Sequence, residues 1–142
     1  MTFWDSSALV PLVIAQRSTP TADAWAAADP QIVVWTLTEV EIVSALRRLV
    51  REGKLSEAQS VAAETLAEEI LESAHVLTDV ARVKPLAGRL LRTHSLRAAG
   101  ALQLGAALAW ADGDPAGLAF LTLDRRLAEA ARREGFRVEP TA

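Results

Sequence analysis

Apolar positions follow two rhythms along this chain. Brief apolar runs at 2–4, 31–35, 75–77, 119–122 and 136–138 carry β-branched and aromatic residues, the composition of short buried strands. Between them, apolar residues return at three- and four-residue spacing. Val40, Val43, Leu46, Leu49 and Val50 mark one helix face in this way, with Gly53 as its stop. Helices are predicted over 7–15, 19–28, 38–52, 56–73, 79–91, 96–111 and 124–133, with Gly135 closing the last.

The ends of these segments carry the expected chemistry. Asp5-Ser6-Ser7 supplies N-cap side chains, Ser56-Glu57-Ala58-Gln59 reads as a capping box, and Asp79, Ser95 and Asp124 stand where helix caps belong. Pro85 is expected to kink or restart its helix. Short strands alternating with longer helices predict an α/β fold, a three-layer α/β/α sandwich around a short-stranded, mostly parallel sheet. The 142 residues show no repeat and no linker, which fits one domain.

Composition removes several classes. Cys is absent, so disulfides, thiolate metal sites and Cys nucleophiles are excluded. The longest apolar run, 9–15, is far short of the ~20 residues of a membrane span, and no basic leader precedes it. A cytoplasmic protein without membrane contact is expected. The net charge of −3 looks unfavourable for nucleic acid, but six Glu cluster within 52–72. Outside that segment fourteen basic residues face twelve acidic ones, and thirteen of the fifteen basic residues in the whole chain are Arg. Arg47, Arg48 and Arg51, or Arg89, Arg92 and Arg97, either track a phosphate backbone or pair with nearby acids. The four Trp read as core or interface residues, His75 as a strand or core residue and His94 as a surface one.

The position of the acids changes the picture. Asp5 follows the first strand, Glu39 and Glu41 open the helix after the second, and Asp124 follows the 119–122 strand. In a parallel α/β sheet these places share the carboxyl edge, where ligands bind. Each acid alone has a structural explanation as a helix cap or first-turn residue. Together they form an oxygen-rich set suited to Mg²⁺ or Mn²⁺, an ion able to activate water and neutralise a phosphodiester transition state.

Four segments in order then carry a family resemblance: Phe3-Trp4-Asp5-Ser6-Ser7-Ala8-Leu9-Val10, Thr38-Glu39-Val40-Glu41-Ile42-Val43-Ser44-Ala45-Leu46, Leu96-Arg97-Ala98-Ala99-Gly100-Ala101-Leu102-Gln103-Leu104, and Leu121-Thr122-Leu123-Asp124-Arg125-Arg126-Leu127. The chain resembles the PIN-domain ribonucleases, in particular the VapC toxins of toxin–antitoxin systems. That resemblance selects Glu41 over Glu39. It implies that Asp5, Glu41 and Asp124 bind Mg²⁺ or Mn²⁺ and serve catalysis on an RNA substrate. It also implies a VapB-like antitoxin as partner and a homodimer.

The third segment departs from the family at its chemical centre: Gly100 stands where an Asp is expected. One charge and one oxygen ligand are lost, which should weaken cation binding and catalysis. Nothing in the local helix asks for glycine, unless a neighbouring helix approaches closely there. The alternative function is a non-catalytic PIN-like module that binds antitoxin or RNA. A phosphoaspartyl protein is disfavoured, because Ser7 breaks the Asp-x-Asp pattern and no late-strand Lys is present.

Overall fold

The structure, a computed structural model, describes residues 1–139. Its strands are β1 (Thr2–Trp4), β2 (Ile32–Trp35), β3 (His75–Leu77), β4 (Ala119–Leu121) and β5 (Arg137–Glu139). Its helices are α1 (Ser6–Val13), α2 (Thr19–Ala28), α3 (Thr38–Arg51), α4 (Glu57–Glu72), α5 (Val80–Thr93), α6 (Ala98–Trp110) and α7 (Arg125–Glu134). The five strands form one sheet in the order β3-β2-β1-β4-β5. Every neighbouring pair is parallel, so the sheet is wholly rather than mostly parallel.

The strand order decides where a site can form. The chain moves outward from β1 through β2 to β3, then returns to β1's other side for β4 and β5. This reversal opens a crevice at the carboxyl ends of β1 and β4, which are in register from Thr2 opposite Ala119 to Trp4 opposite Leu121.

The two-residue period of the strands divides the core. Phe3, Val33, Trp35, Phe120 and Val138 face α5, α6 and α7, with the Phe3 and Phe120 rings stacked 5.4 Å apart. Trp4, Val34 and Leu121 face the opposite layer, built from α1 to α4. Helices on both faces of a parallel sheet give the expected α/β/α sandwich. Trp4 and Trp35 are fully buried, and Trp25 meets Trp4 edge-on at 6.0 Å, so these are core residues.

Most helix ends follow the sequence. Asp5, Asp79 and Asp124 each accept a backbone N–H of the first turn they cap, the Ser56–Gln59 capping box is complete, and Gly135 ends α7 at φ 108°.

Three expectations are corrected and one alternative is removed. Ser95 does not cap a helix from 96: α6 begins at Ala98 behind Arg97, whose side chain makes no cap bond, and Leu96 turns to pack on the core. Pro85 does not break its helix, since α5 runs unbroken from Val80 to Thr93. Pro85 and Ala81, whose carbonyl loses its usual donor, both lie on the exposed face. His94 is not a surface residue. Its side chain is 6% exposed, and Nε2 lies 2.7 Å from Glu134 Oε2. Gly100 is not the point of close helix approach; that point is Gly105, where an added Cβ would lie 3.3 Å from the Ala87 nitrogen and the Val83 carbonyl oxygen. Among the described residues no helix is long and apolar enough to cross a membrane.

Candidate active site

Asp5 leaves β1 in extended conformation and caps α1, which turns its carboxylate back into the protein. Oδ2 accepts hydrogen bonds from Ser7 Oγ at 2.5 Å and Thr122 Oγ1 at 2.8 Å. Oδ1 lies 3.4 Å from Ser6 Oγ. That same Ser6 hydroxyl lies 3.3 Å from Glu41 Oε1, so the two carboxylates face one shared group.

Glu41 reaches this place because α3 starts just past β2, and its first turn meets Ser6 at the start of α1. Glu39 in the same turn is exposed, which agrees with the choice of Glu41. Oε2 of Glu41 accepts from Gln103 Nε2 at 2.7 Å, and the same amide nitrogen donates to Thr38 Oγ1 at 3.0 Å. Gln103 is fully buried on α6, and its Oε1 has no partner among the described residues.

Asp124 follows β4 and caps α7, its Oδ1 accepting from the amides of Arg126 at 2.9 Å and Leu127 at 3.2 Å. Its own amide donates to Thr122 Oγ1 at 3.0 Å. Thr122 therefore ties the Asp124 loop to Asp5.

Asp5 and Glu41 are shifted in the same direction. Burial pushes the Asp5 carboxyl above its ordinary range; hydrogen bonds from Ser7 and Thr122 oppose this, and the charge of Asp124 adds to it. Burial also raises Glu41, against the Gln103 hydrogen bond and with the charge of Asp5. Among the described residues no Lys, Arg or His pairs with Asp5, Glu41 or Asp124. No three His, Cys, Asp or Glu side chains among them form a ready-made metal-ligand set.

Gly100 lies in the first turn of α6, on the wall of a 240 Å³ cavity shared with Leu96, Arg97, Asp124 and Arg126. A Cβ there would meet only Leu127 Cδ1 at 3.8 Å and Leu96 Cδ2 at 3.9 Å, which is ordinary contact. Space for a side chain is present on this wall.

Other polar candidates have separate roles. Arg89 makes a two-pronged bond to Glu134, and Arg47 does the same to Glu57 of the acidic α4 helix. Both are held by acids rather than free for a nucleic-acid backbone. Asp112, at the far end of α6, pairs with Arg82. His75 is exposed on the edge strand β3. The sequence reading missed Gln103, Ser6 and Thr122. A signal existed for Gln103, the one polar residue within the apolar run 101–109.

Two curated ribonucleases of Mycobacterium tuberculosis, VapC45 and VapC49, are each 34% identical to this chain over 141 residues, spanning 99% of it and 95% of their own length. The chain belongs to the VapC family of ribonucleases. No protein-family model matches it. Among solved structures, PAE2754 from Pyrobaculum aerophilum aligns with a TM-score of 0.62 at 22% identity, covering 96% of this chain and 87% of that one. A toxin–antitoxin complex from Klebsiella pneumoniae aligns with a TM-score of 0.62 at 16% identity, covering 90% of this chain and 91% of that one. Both share the fold, a PIN-like sheet with helices on each face. The VapC relationship spans all four acidic segments, Gly100 included.

Proposed function

We propose that this VapC-family chain is a toxin built as a Mg²⁺- or Mn²⁺-dependent endoribonuclease cleaving RNA phosphodiesters, its activity weakened or lost through Gly100. The observation that carries this reading is the Asp5–Glu41 pair. Two carboxylates face one hydroxyl at the sheet's carboxyl edge, and among the described residues no cationic side chain pairs with them. Like charges in that state favour a hard divalent cation with oxygen ligands.

Asp5, Glu41 and Asp124 would hold such an ion, with water completing its shell. Bound there, the ion would supply an acidified water and charge neutralisation at the phosphodiester. The protein's own contribution is positioning. Ser6 sets the spacing of Asp5 and Glu41, Gln103 orients Glu41, and Thr122 couples Asp5 to the Asp124 loop. Gly100 supplies no oxygen, in keeping with an incomplete ligand set.

A VapB-like antitoxin whose tail blocks this mouth, and a homodimeric toxin in the cytoplasm, complete the proposal. Support for the antitoxin comes from the family and from the fold shared with one member of the Klebsiella complex.

The test is Gly100→Asp with Mn²⁺ and RNA. Cleavage of RNA or growth arrest should appear or rise in the variant. A folded variant that does neither overturns the account of Gly100 as the inactivating position. The second reading, a non-catalytic PIN-like module that binds antitoxin or RNA, is favoured by the open space at Gly100. It predicts tight binding of a VapB-like peptide by both forms and no cleavage by either.

A further inference from the structure

We propose that the cavity at Gly100 is an oxyanion site that grips a phosphate group of single-stranded RNA beside the acidic mouth. The proposal rests on the mouth being the RNA-facing site of a VapC-family chain, and it assigns the residue change at 100 a consequence of its own.

The charge on the cavity wall carries the argument. Arg97 and Arg126 line it, and neither forms an ion pair among the described residues, whereas Arg47, Arg82, Arg89, Arg133 and Arg137 are each matched to an acid. The opposing charge on the wall is Asp124, and one of its oxygens is occupied by the α7 amides. With an aspartate at 100 the wall would be balanced, two guanidinium groups against two carboxylates. With glycine it carries a net positive charge.

Shape agrees with charge. The 240 Å³ volume exceeds the space of several waters, at about 30 Å³ each, and so admits a phosphate group with part of its hydration. The floor at Gly100 is bare, with only Leu96 and Leu127 methyls near the missing Cβ. Guanidinium groups suit phosphate oxygens through paired N–H donors. The site therefore recognises a phosphate without a metal ion, next to the carboxylates that would need one.

The test measures binding of a fluorescein-labelled short single-stranded RNA in EDTA, which keeps cleavage out of the readout. Arg97→Ala/Arg126→Ala should weaken binding about tenfold and reduce the slope of log affinity against log salt by about 1.4, two single-strand phosphate contacts. Gly100→Asp should weaken it severalfold by restoring a negative charge. Arg48→Ala/Arg51→Ala, at the far end of α3, should bind like the parent. Thermal melts of each variant establish that it is folded.

Unchanged RNA affinity in the folded Arg97/Arg126 double variant overturns the proposal. So does a Gly100→Asp form that binds RNA as tightly as the parent. Inorganic phosphate is the second arm: if it binds in an Arg97- and Arg126-dependent way while RNA binding ignores both residues, the RNA assignment is overturned. Cleavage by Gly100→Asp with Mn²⁺ is scored separately, so failure here leaves the nuclease reading standing, and the reverse.

Discussion

The middle and the first turn of α6 each contain a glycine, and the two have opposite physical settings. At Gly105 the backbones of α5 and α6 approach so closely that a Cβ would press on the Ala87 nitrogen and the Val83 carbonyl oxygen at 3.3 Å. At Gly100 a Cβ would find only two leucine methyls at ordinary distance. The first glycine is a packing requirement between neighbouring helices. The second has no packing reason, and the helix bears its backbone entropy with no steric return. On the proposed function its meaning lies in the chemistry of the mouth.

The largest effect that would sharpen this contrast is catalytic. On the proposed function, in which Gly100 leaves the ligand set one oxygen short, Gly100→Asp should raise Mn²⁺-dependent RNA cleavage by about 100-fold or more over the parent, read by gel assay. A small gain would mean that the mouth lacks more than one oxygen.

Next is Gly105→Val. A branched side chain against the α5 backbone should destabilise the fold by about 1–3 kcal/mol in urea unfolding. A neutral result would break the comparison by showing that α5 and α6 can separate without penalty.

Asp5→Asn tests the mouth through pH. The Asp5 carboxyl is raised by burial, so the folded chain holds its proton more tightly than the unfolded chain does. The contribution of Asp5 to stability is therefore fullest at pH below the unfolded value. It falls as pH rises through the interval up to the folded one. In EDTA at neutral pH Asp5→Asn should melt above the parent, and the gap should close on acidification. A gap that widens in acid would contradict a raised carboxyl.

The smallest effect is that of Gly100→Ala, which should stabilise α6 by about 0.5–1 kcal/mol without restoring cleavage. Loss of stability would reveal a steric demand at 100 after all.

Local chemistry made much of this legible beforehand. The strand runs, the Asp5, Asp79 and Asp124 caps and the capping box at Ser56 depend on neighbours in sequence, and each formed as expected. Parallel topology predicted Asp5, Glu41 and Asp124 at the carboxyl edge; the structure links Asp5 to Glu41 through Ser6 and to the Asp124 loop through Thr122, while no three acids among the described residues form a ligand set. What escaped were pairings across long sequence distance. His94 is buried by Glu134, forty residues later, and Gln103 meets Glu41 across sixty-two. No periodicity records such partners. Ser95 misled because a good cap residue is silent when the chain turns to bury Leu96 instead.

Asp124 serves two masters. The oxygen that closes the first turn of α7 belongs to the same carboxylate that looks onto the mouth. Any occupant drawing electron density from that group weakens or reorients the bonds to the Arg126 and Leu127 amides. Their exchange with deuterium should then serve as a built-in gauge of occupancy, legible by mass spectrometry without any substrate being turned over.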